Sequence, residues 1–342
     1  MTNGFTRGQA NRTLFIKKVD GELVVTQVYV DDIIFGSTKD DLAHSFSSMM
    51  QTEFEISMIG EFNYFLGLQI HQSDSGIFIS QSKYAKNLVK KFGLESASSV
   101  KTLISPNVKL TVDLLEKSND PSLYRSMIGS LLYLTISRLD ISYNVEVCAR
   151  YQANPKESHN NAVKLIIKYV KTTSNFGVWY DKYTNDVLAR YSDADWAGNA
   201  DDQKSTSGGC FYLGNNLVSW MIKKQNSISL STAKAKYIAT GNCCIQLLWM
   251  QKFFLDYGIY QKHLTIYCDN ISAINISKNP VQLSRTKHIE IRHHFIRELV
   301  KDGTLILEFI HTDDQNVDLF TKPLNGRHFE FVHQNIGVIS MD

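Results

Sequence analysis

The tetrad Tyr29-Val30-Asp31-Asp32 lies between two apolar runs, Leu23-Val24-Val25-Thr26-Gln27-Val28 and Ile33-Ile34-Phe35-Gly36. Each run reads as a buried strand, so the pair of acids falls at the tip of a β-hairpin. Two-residue hairpin tips favour Asn-Gly or Asp-Gly, because the favoured turns need positive φ. Adjacent aspartates suit that geometry poorly, and they repel each other. What adjacent carboxylates do well is hold a hard divalent cation such as Mg²⁺. A solvated acidic turn fits the same four residues, and local sequence does not choose between the two.

A chain of 342 residues has room for two or three domains with their own cores. The formal net charge of +2 means that any basic surface is local. No apolar run is long enough to span a bilayer, and the N-terminus lacks the layout of a signal peptide. Five cysteines (148, 210, 243, 244 and 268) show no CxxC spacing, which weakens zinc and thioredoxin-like readings. An odd count without a secretory signal suggests free thiols in a reducing compartment.

Residues 1–80 are strand-rich, with a helix predicted over Asp40–Met50 and a hairpin over Phe65–Ser80. Residues 81–175 read as mainly helical. Lys83, Lys86 and Lys90 recur at helical spacing, as do Lys164, Lys168 and Lys171, so each set shares a helix face. Such a face could track a phosphate backbone or could simply be solvated. Ser98–Asp120 reads as a connection, and Pro121 and Pro155 stand just ahead of helical patterns. From residue 176 strands return (187–193, 208–213 and 217–222). They are followed by a long helix over Ser231–Tyr257, a strand over Leu264–Cys268 and alternating elements up to residue 330. Residues 331–342 read as a tail. The expected class is a multidomain α+β and α/β chain.

Several longer blocks carry a resemblance. Glu53-Phe54-Glu55-Ile56-Ser57-Met58-Ile59-Gly60-Glu61 leads into Asn63-Tyr64-Phe65-Leu66-Gly67-Leu68-Gln69-Ile70. Ser126-Met127-Ile128-Gly129-Ser130-Leu131-Leu132-Tyr133-Leu134 and Tyr191-Ser192-Asp193-Ala194-Asp195-Trp196-Ala197-Gly198 follow. With the acidic tetrad, this order resembles the C-terminal part of the Pol polyprotein of copia-type LTR retrotransposons, from near residue 12 to about residue 330. The resemblance implies a partial reverse transcriptase palm over 1–80 and a helical thumb or connection region over 81–175. It implies a ribonuclease H-like mixed-sheet domain over 176–330. Asp31 and Asp32 would be palm metal ligands, and Phe65-Leu66-Gly67-Leu68 would belong to the hairpin that grips the primer end.

Asp193 and Asp195 end a strand two residues apart and so share a face. Asp269 closes another strand, and Asp318 lies in the last predicted helix. Each also has a plain structural reading: Asp195 in a turn, Asp269 as a helix cap, and Asp318 paired with Lys322 at i,i+4. The resemblance assigns Asp193, Asp269 and Asp318 to the first, third and fourth acids of a two-Mg²⁺ ribonuclease H site. The second acid is absent. Where the family has Ser-Thr-Ala-Glu-Ala-Glu-Tyr, this chain reads Ser231-Thr232-Ala233-Lys234-Ala235-Lys236-Tyr237. Residues two apart on a helix point in nearly opposite directions, so only one lysine can face the site, and the family register assigns Lys236. A cation there removes one ligand and repels the metals, unless it swings out to solvent.

The block Arg285-Thr286-Lys287-His288-Ile289-Glu290-Ile291-Arg292-His293-His294 carries no three zinc ligands on one helix face. By resemblance, Arg285, Lys287 and Arg292 would face a bound RNA–DNA hybrid, together with Lys164, Lys168 and Lys171. The family also has fingers and an earlier palm aspartate. None of the 28 residues ahead of Tyr29 matches them, and Asp20 sits in the Lys18-Val19-Asp20-Gly21 turn. The expectation is a segment descended from a reverse transcriptase and ribonuclease H, with both activities weak or absent and Mg²⁺ binding weakened. The alternative is a non-catalytic module that binds nucleic acid or pairs with another Pol chain. Neither reading involves a membrane. The expected location is cytoplasmic or nuclear, within a virus-like particle for an intact family member.

Overall fold

The computed structural model describes residues 3–101, 103, 108–278 and 290–341, with side chains omitted for 290–294. These residues form two compact units, 1–62 with 245–262, and 63–244 with 263–342.

The first unit is built on one antiparallel sheet, β1 (Thr6–Arg7), β2 (Leu14–Val19), β3 (Glu22–Tyr29) and β4 (Asp32–Ser37), in that order. Alternate residues Leu14 and Ile16 of β2 and Val24 of β3 are buried, as the two-residue period of a half-covered sheet requires. Helix α1 (Asp40–Glu53) opens with Asp40 and Asp41, whose charges suit the positive helix N-terminus. It lays Phe46 against Phe5 and Phe35, with ring centroids 5.5 and 4.8 Å away. Asp256 accepts hydrogen bonds from the amides of Gln9 (3.0 Å) and Ala10 (3.1 Å), tying the 245–262 segment to the N-terminal loop.

Two tight hairpins shape this sheet. Asp20-Gly21 joins β2 to β3 with both residues at positive φ, the sequence such a turn favours. The β3–β4 hairpin pairs Tyr29 with Asp32, so its turn residues are Val30 and Asp31. The conformational cost falls on Val30, a β-branched residue at φ +50°, rather than on the two acids. Val30→Gly should therefore stabilise this unit by about 1 kcal/mol, read as a rise in its denaturation midpoint.

The second unit begins with β5 (Tyr64–Phe65), β6 (Leu68–Gln72) and β7 (Gly76–Ser80). Helices α2 (Ser82–Lys91), α3 (Pro121–Leu134), α4 (Ser142–Ala149) and α5 (Glu157–Thr172) follow. Pro121 takes the first turn of α3 with Asp120 as its cap, the arrangement its position in the sequence predicts. These helices bury Leu88, Met127, Leu131, Val145, Val163 and Ile167 in one core.

The chain then runs through β8 (Phe176–Asp181), β9 (Leu188–Ala194), β10 (Thr206–Leu213), β11 (Asn216–Lys224), α6 (Thr232–Asp256), β12 (Leu264–Cys268) and α7 (Ile271–Lys278). It continues with α8 (Glu290–Lys301), β13 (Leu305–Phe309), α9 (Asp318–Thr321), α10 (Gly326–Asn335) and β14 (Val338–Ser340). Residues of α6 from Ile245 onward belong to the first unit.

Two five-stranded sheets result. One has the order β14-β8-β7-β6-β5 and is antiparallel throughout. The other, β11-β10-β9-β12-β13, is mixed: β9 to β11 form a meander, while β12 runs parallel to both β9 and β13. The compact units divide at residue 62, and β7 pairs with β8 inside the second unit. Residues 331–342, read as a tail, complete α10 and supply β14.

Candidate functional site

The mixed sheet gathers the second set of acids. Asp193 lies near the C-terminal end of β9, and Asp269 follows directly on the parallel neighbour β12. Parallel strands bring such ends to one edge of the sheet, where ligand sites commonly form. Asp318 arrives on α9, which packs flat on β10 because residue 208 is a glycine. A Cβ there would come within 2.7 Å of Val317 and Thr321 side-chain atoms. Gly208 is the register partner of Asp193, so its lack of a side chain helps bring α9 over the first acid. Thr321 Oγ1 donates to Asp193 Oδ2 at 2.6 Å.

Lys236 lies between Asp193 and Asp269. Ser231 caps the start of α6, accepting from the Lys234 amide at 3.2 Å, and the helix turns Lys236 inward to only 8 % exposure. Its Nζ lies 2.8 Å from Asp193 Oδ1 and donates to Asp269 Oδ1 and Oδ2 at 2.5 and 2.7 Å. Burial would lower the pKa of this ammonium, but the two carboxylates outweigh it and hold the proton firmly. Burial would likewise raise Asp193, and Lys236 overrides that to keep it below the usual carboxylate range. Lys236, rather than Lys234, therefore faces the acids, and its side chain does not swing out to solvent.

Asp318 sits in a different balance. Its Oδ2 lies 2.8 Å from Lys322 Nζ and 3.3 Å from His328 Nε2, whereas Oδ1 has no hydrogen-bond partner. Burial, reinforced by the charge of Asp193, pushes its pKa up to about 6. Burial raises Asp195 to about 6 as well, against the opposing hydrogen bond from the Thr206 amide. A carboxyl whose folded-state pKa is raised contributes stability below its unfolded value and loses it as pH rises through the folded one. Stability should thus decline between about pH 4 and 6 on this account, and Asp318→Asn should flatten the decline. Denaturant titrations at several pH values check this.

The residues do not fit a bound Mg²⁺. Both carboxylates nearest the centre already spend their oxygens on Lys236, Thr321 and Thr312, the last donating to Asp269 Oδ2 at 3.3 Å. Among the described residues, no group of three or more His, Cys, Asp or Glu side chains is arranged to hold a metal. Asp31 and Asp32 are exposed on the hairpin of the first unit.

Lys164 and Lys168 are half-buried on α5, and Lys171 donates to the Ala97 carbonyl at 2.6 Å. Lys83, Lys86 and Lys90 are exposed on α2. Arg285 and Lys287 lie outside the described residues, as does the side chain of Arg292 on α8. The helix after Asp269 is capped by Asn270, whose Oδ1 accepts from the Ala273 amide, so Asp269 is left to the cluster. Sequence reasoning missed His328. It stands ten residues from Asp318, past Pro323, and only the reversal between α9 and α10 brings it back.

Residues 1–106 match the family described as reverse transcriptase (RNA-dependent DNA polymerase). Across 339 residues, 99 % of its length, the chain is 36 % identical to the retrovirus-related Pol polyprotein from transposon RE1 of Arabidopsis thaliana. This chain belongs to the copia-type Pol polyprotein family. A second Pol polyprotein, from transposon RE2 of the same plant, is 35 % identical over 343 residues, 100 % of the chain. The chain spans only about a quarter of these Pol relatives, 23 % and 24 % of their lengths. A foamy viral protease-reverse transcriptase solved in complex with dsDNA is 14 % identical, with a TM-score of 0.49, covering 84 % of this chain and 55 % of that one.

Proposed function

We propose that this Pol segment binds nucleic acid, an RNA–DNA hybrid in the first place, and does not cleave it. By descent it combines reverse transcriptase and ribonuclease H. What supports the reading above all is the placement of Lys236. Asp193, Asp269 and Asp318 are the acids that the family would assign to a nuclease site, and the Lys236 ammonium stands between the first two. Hydrolysis by such a site needs two metal ions to stabilise the attacking and leaving oxygens. The protein supplies two lysines against three carboxylates instead, Lys236 and Lys322. Asp31 and Asp32 would be the corresponding palm acids by family. The exposed lysines of α2 and the lysines of α5 would contact phosphate, and the protein would act in the cytoplasm, the nucleus or a virus-like particle.

Gel-shift titration with an RNA–DNA hybrid tests the binding, and affinity should fall steeply with salt. The same mixture, given Mg²⁺ and time, should leave the RNA strand intact. Efficient cleavage that disappears in Asp193→Asn would sink the non-cleaving reading, and binding without salt dependence would sink the phosphate-contact reading.

A further inference from the structure

We propose that Lys236 is a built-in counter-ion: its ammonium takes the place of a divalent cation, so the second unit folds without Mg²⁺ and does not take it up. This deepens the reading of the carboxylate cluster given above and rests on the same placement of Lys236.

Distances come first. Nζ is 2.5 and 2.7 Å from the two Asp269 oxygens and 2.8 Å from Asp193 Oδ1. A Mg²⁺ ion bonds carboxylate oxygen at about 2.1 Å. An ion on Asp269 Oδ1 would lie at most about 4.6 Å from Nζ, the sum of 2.5 Å and that bond length. At such range a dication and an ammonium repel strongly in a buried setting.

Charge comes second. Asp193, Asp269 and Asp318 supply three negative charges, and Lys236 and Lys322 return two, so the cluster keeps one at most. A glutamate at position 236 would leave four acids against Lys322 alone. The attraction that draws a divalent ion into such a site is therefore largely spent on side chains.

Saturation comes third. Asp193 Oδ2 accepts from Thr321, and Asp269 Oδ2 accepts from Thr312 as well as from Lys236. Asp318 Oδ1 alone among these oxygens has neither a hydrogen bond nor an ion pair, and one oxygen does not make a Mg²⁺ site.

The test is thermal unfolding of the full chain in EDTA and in about 10 mM MgCl₂, as wild type and as Lys236→Glu. The wild type should shift by less than about 1 °C. Lys236→Glu should melt lower in EDTA and recover by roughly 5 °C or more with Mg²⁺. An equal Mg²⁺ shift in both proteins overturns the proposal, as does a Lys236→Glu protein that ignores Mg²⁺.

Should Lys236→Glu fail to fold, Mn²⁺ titration of the otherwise native chain, read by electron paramagnetic resonance, decides. The hairpin acids are silenced in this arm by Asp31→Asn and Asp32→Asn. No bound Mn²⁺ at sub-millimolar concentration supports the proposal. Bound Mn²⁺ that is lost on adding Asp269→Asn overturns it. Hybrid binding is measured separately without metal, so it can fail while the Mg²⁺ indifference stands, and the reverse.

Discussion

Asp140→Ala should cost the second unit about 3–5 kcal/mol, read from denaturant unfolding. Asp140 and Arg138 are 0 % and 1 % exposed and form a two-pronged pair, with Nε to Oδ1 at 2.9 Å and Nη2 to Oδ2 at 2.7 Å. Their remaining capacity is filled. Tyr169 donates its hydroxyl to Asp140 Oδ2 at 2.8 Å, and Arg138 donates to both oxygens of Thr173. Burial alone would raise the Asp140 pKa, but the Arg138 guanidinium outweighs it and holds the carboxyl well below the usual range. The network joins the α3–α4 connection to the end of α5, and His333 of α10 stands 3.8 Å away. Removing the carboxylate leaves a guanidinium buried without a counter-charge, which is far worse than losing one contact. Removing both charges together, as Arg138→Met with Asp140→Leu, should cost much less. A loss below about 1 kcal/mol in the single variant would mean that the pair is not desolvated as described.

Arg190→Met should do the opposite and stabilise the unit by about 2–4 kcal/mol. Arg190 is 0 % exposed on β9, and none of its three guanidinium nitrogens has a hydrogen-bond partner. Burial pushes its pKa down to about 10, with only the thiols of Cys243, Cys244 and Cys210 opposing. One compensation is visible: the guanidinium stacks 3.8 Å over the Phe211 ring. A cation–π contact returns about 2 kcal/mol when desolvated, less than a buried unpaired cation costs. Methionine keeps the apolar stem of the side chain, with a flexible thioether that suits an aromatic neighbour, and removes the charge. A fall in the denaturation midpoint of Arg190→Met would show that the guanidinium has a counter-group.

These two arginines mark what sequence can and cannot reveal. The strand over Leu264–Cys268 is legible from its alternating burial-prone residues, and the long helix from Ser231 from its length and its freedom from proline. So is the departure at Lys236, a cation where the family pattern has an acid. The direction of its side chain is not legible, because swinging out and turning in differ only by the positions of Asp193 and Asp269 in space. Arg190 in Leu188-Ala189-Arg190-Tyr191 looks like the polar residue of an alternating strand, and only the packing of both faces buries it. Asp31 and Asp32 stand out in the sequence as the unusual pair, yet the unfavourable backbone belongs to Val30, because register decides which residues turn.

The strand β14 has a consequence for the order of events during synthesis. Its partner β8 carries β7 on one side, from about 100 residues earlier in the chain, and β14 on the other, about 160 residues later. While the intervening residues emerge from the ribosome, the outer edge of β8 has its amides and carbonyls unpaired. An unpaired strand edge recruits other strands, and a nascent chain meets them on its neighbours. The interval ends only when Val338–Ser340 have been translated, so slow elongation through the C-terminal half lengthens the exposure to misassembly.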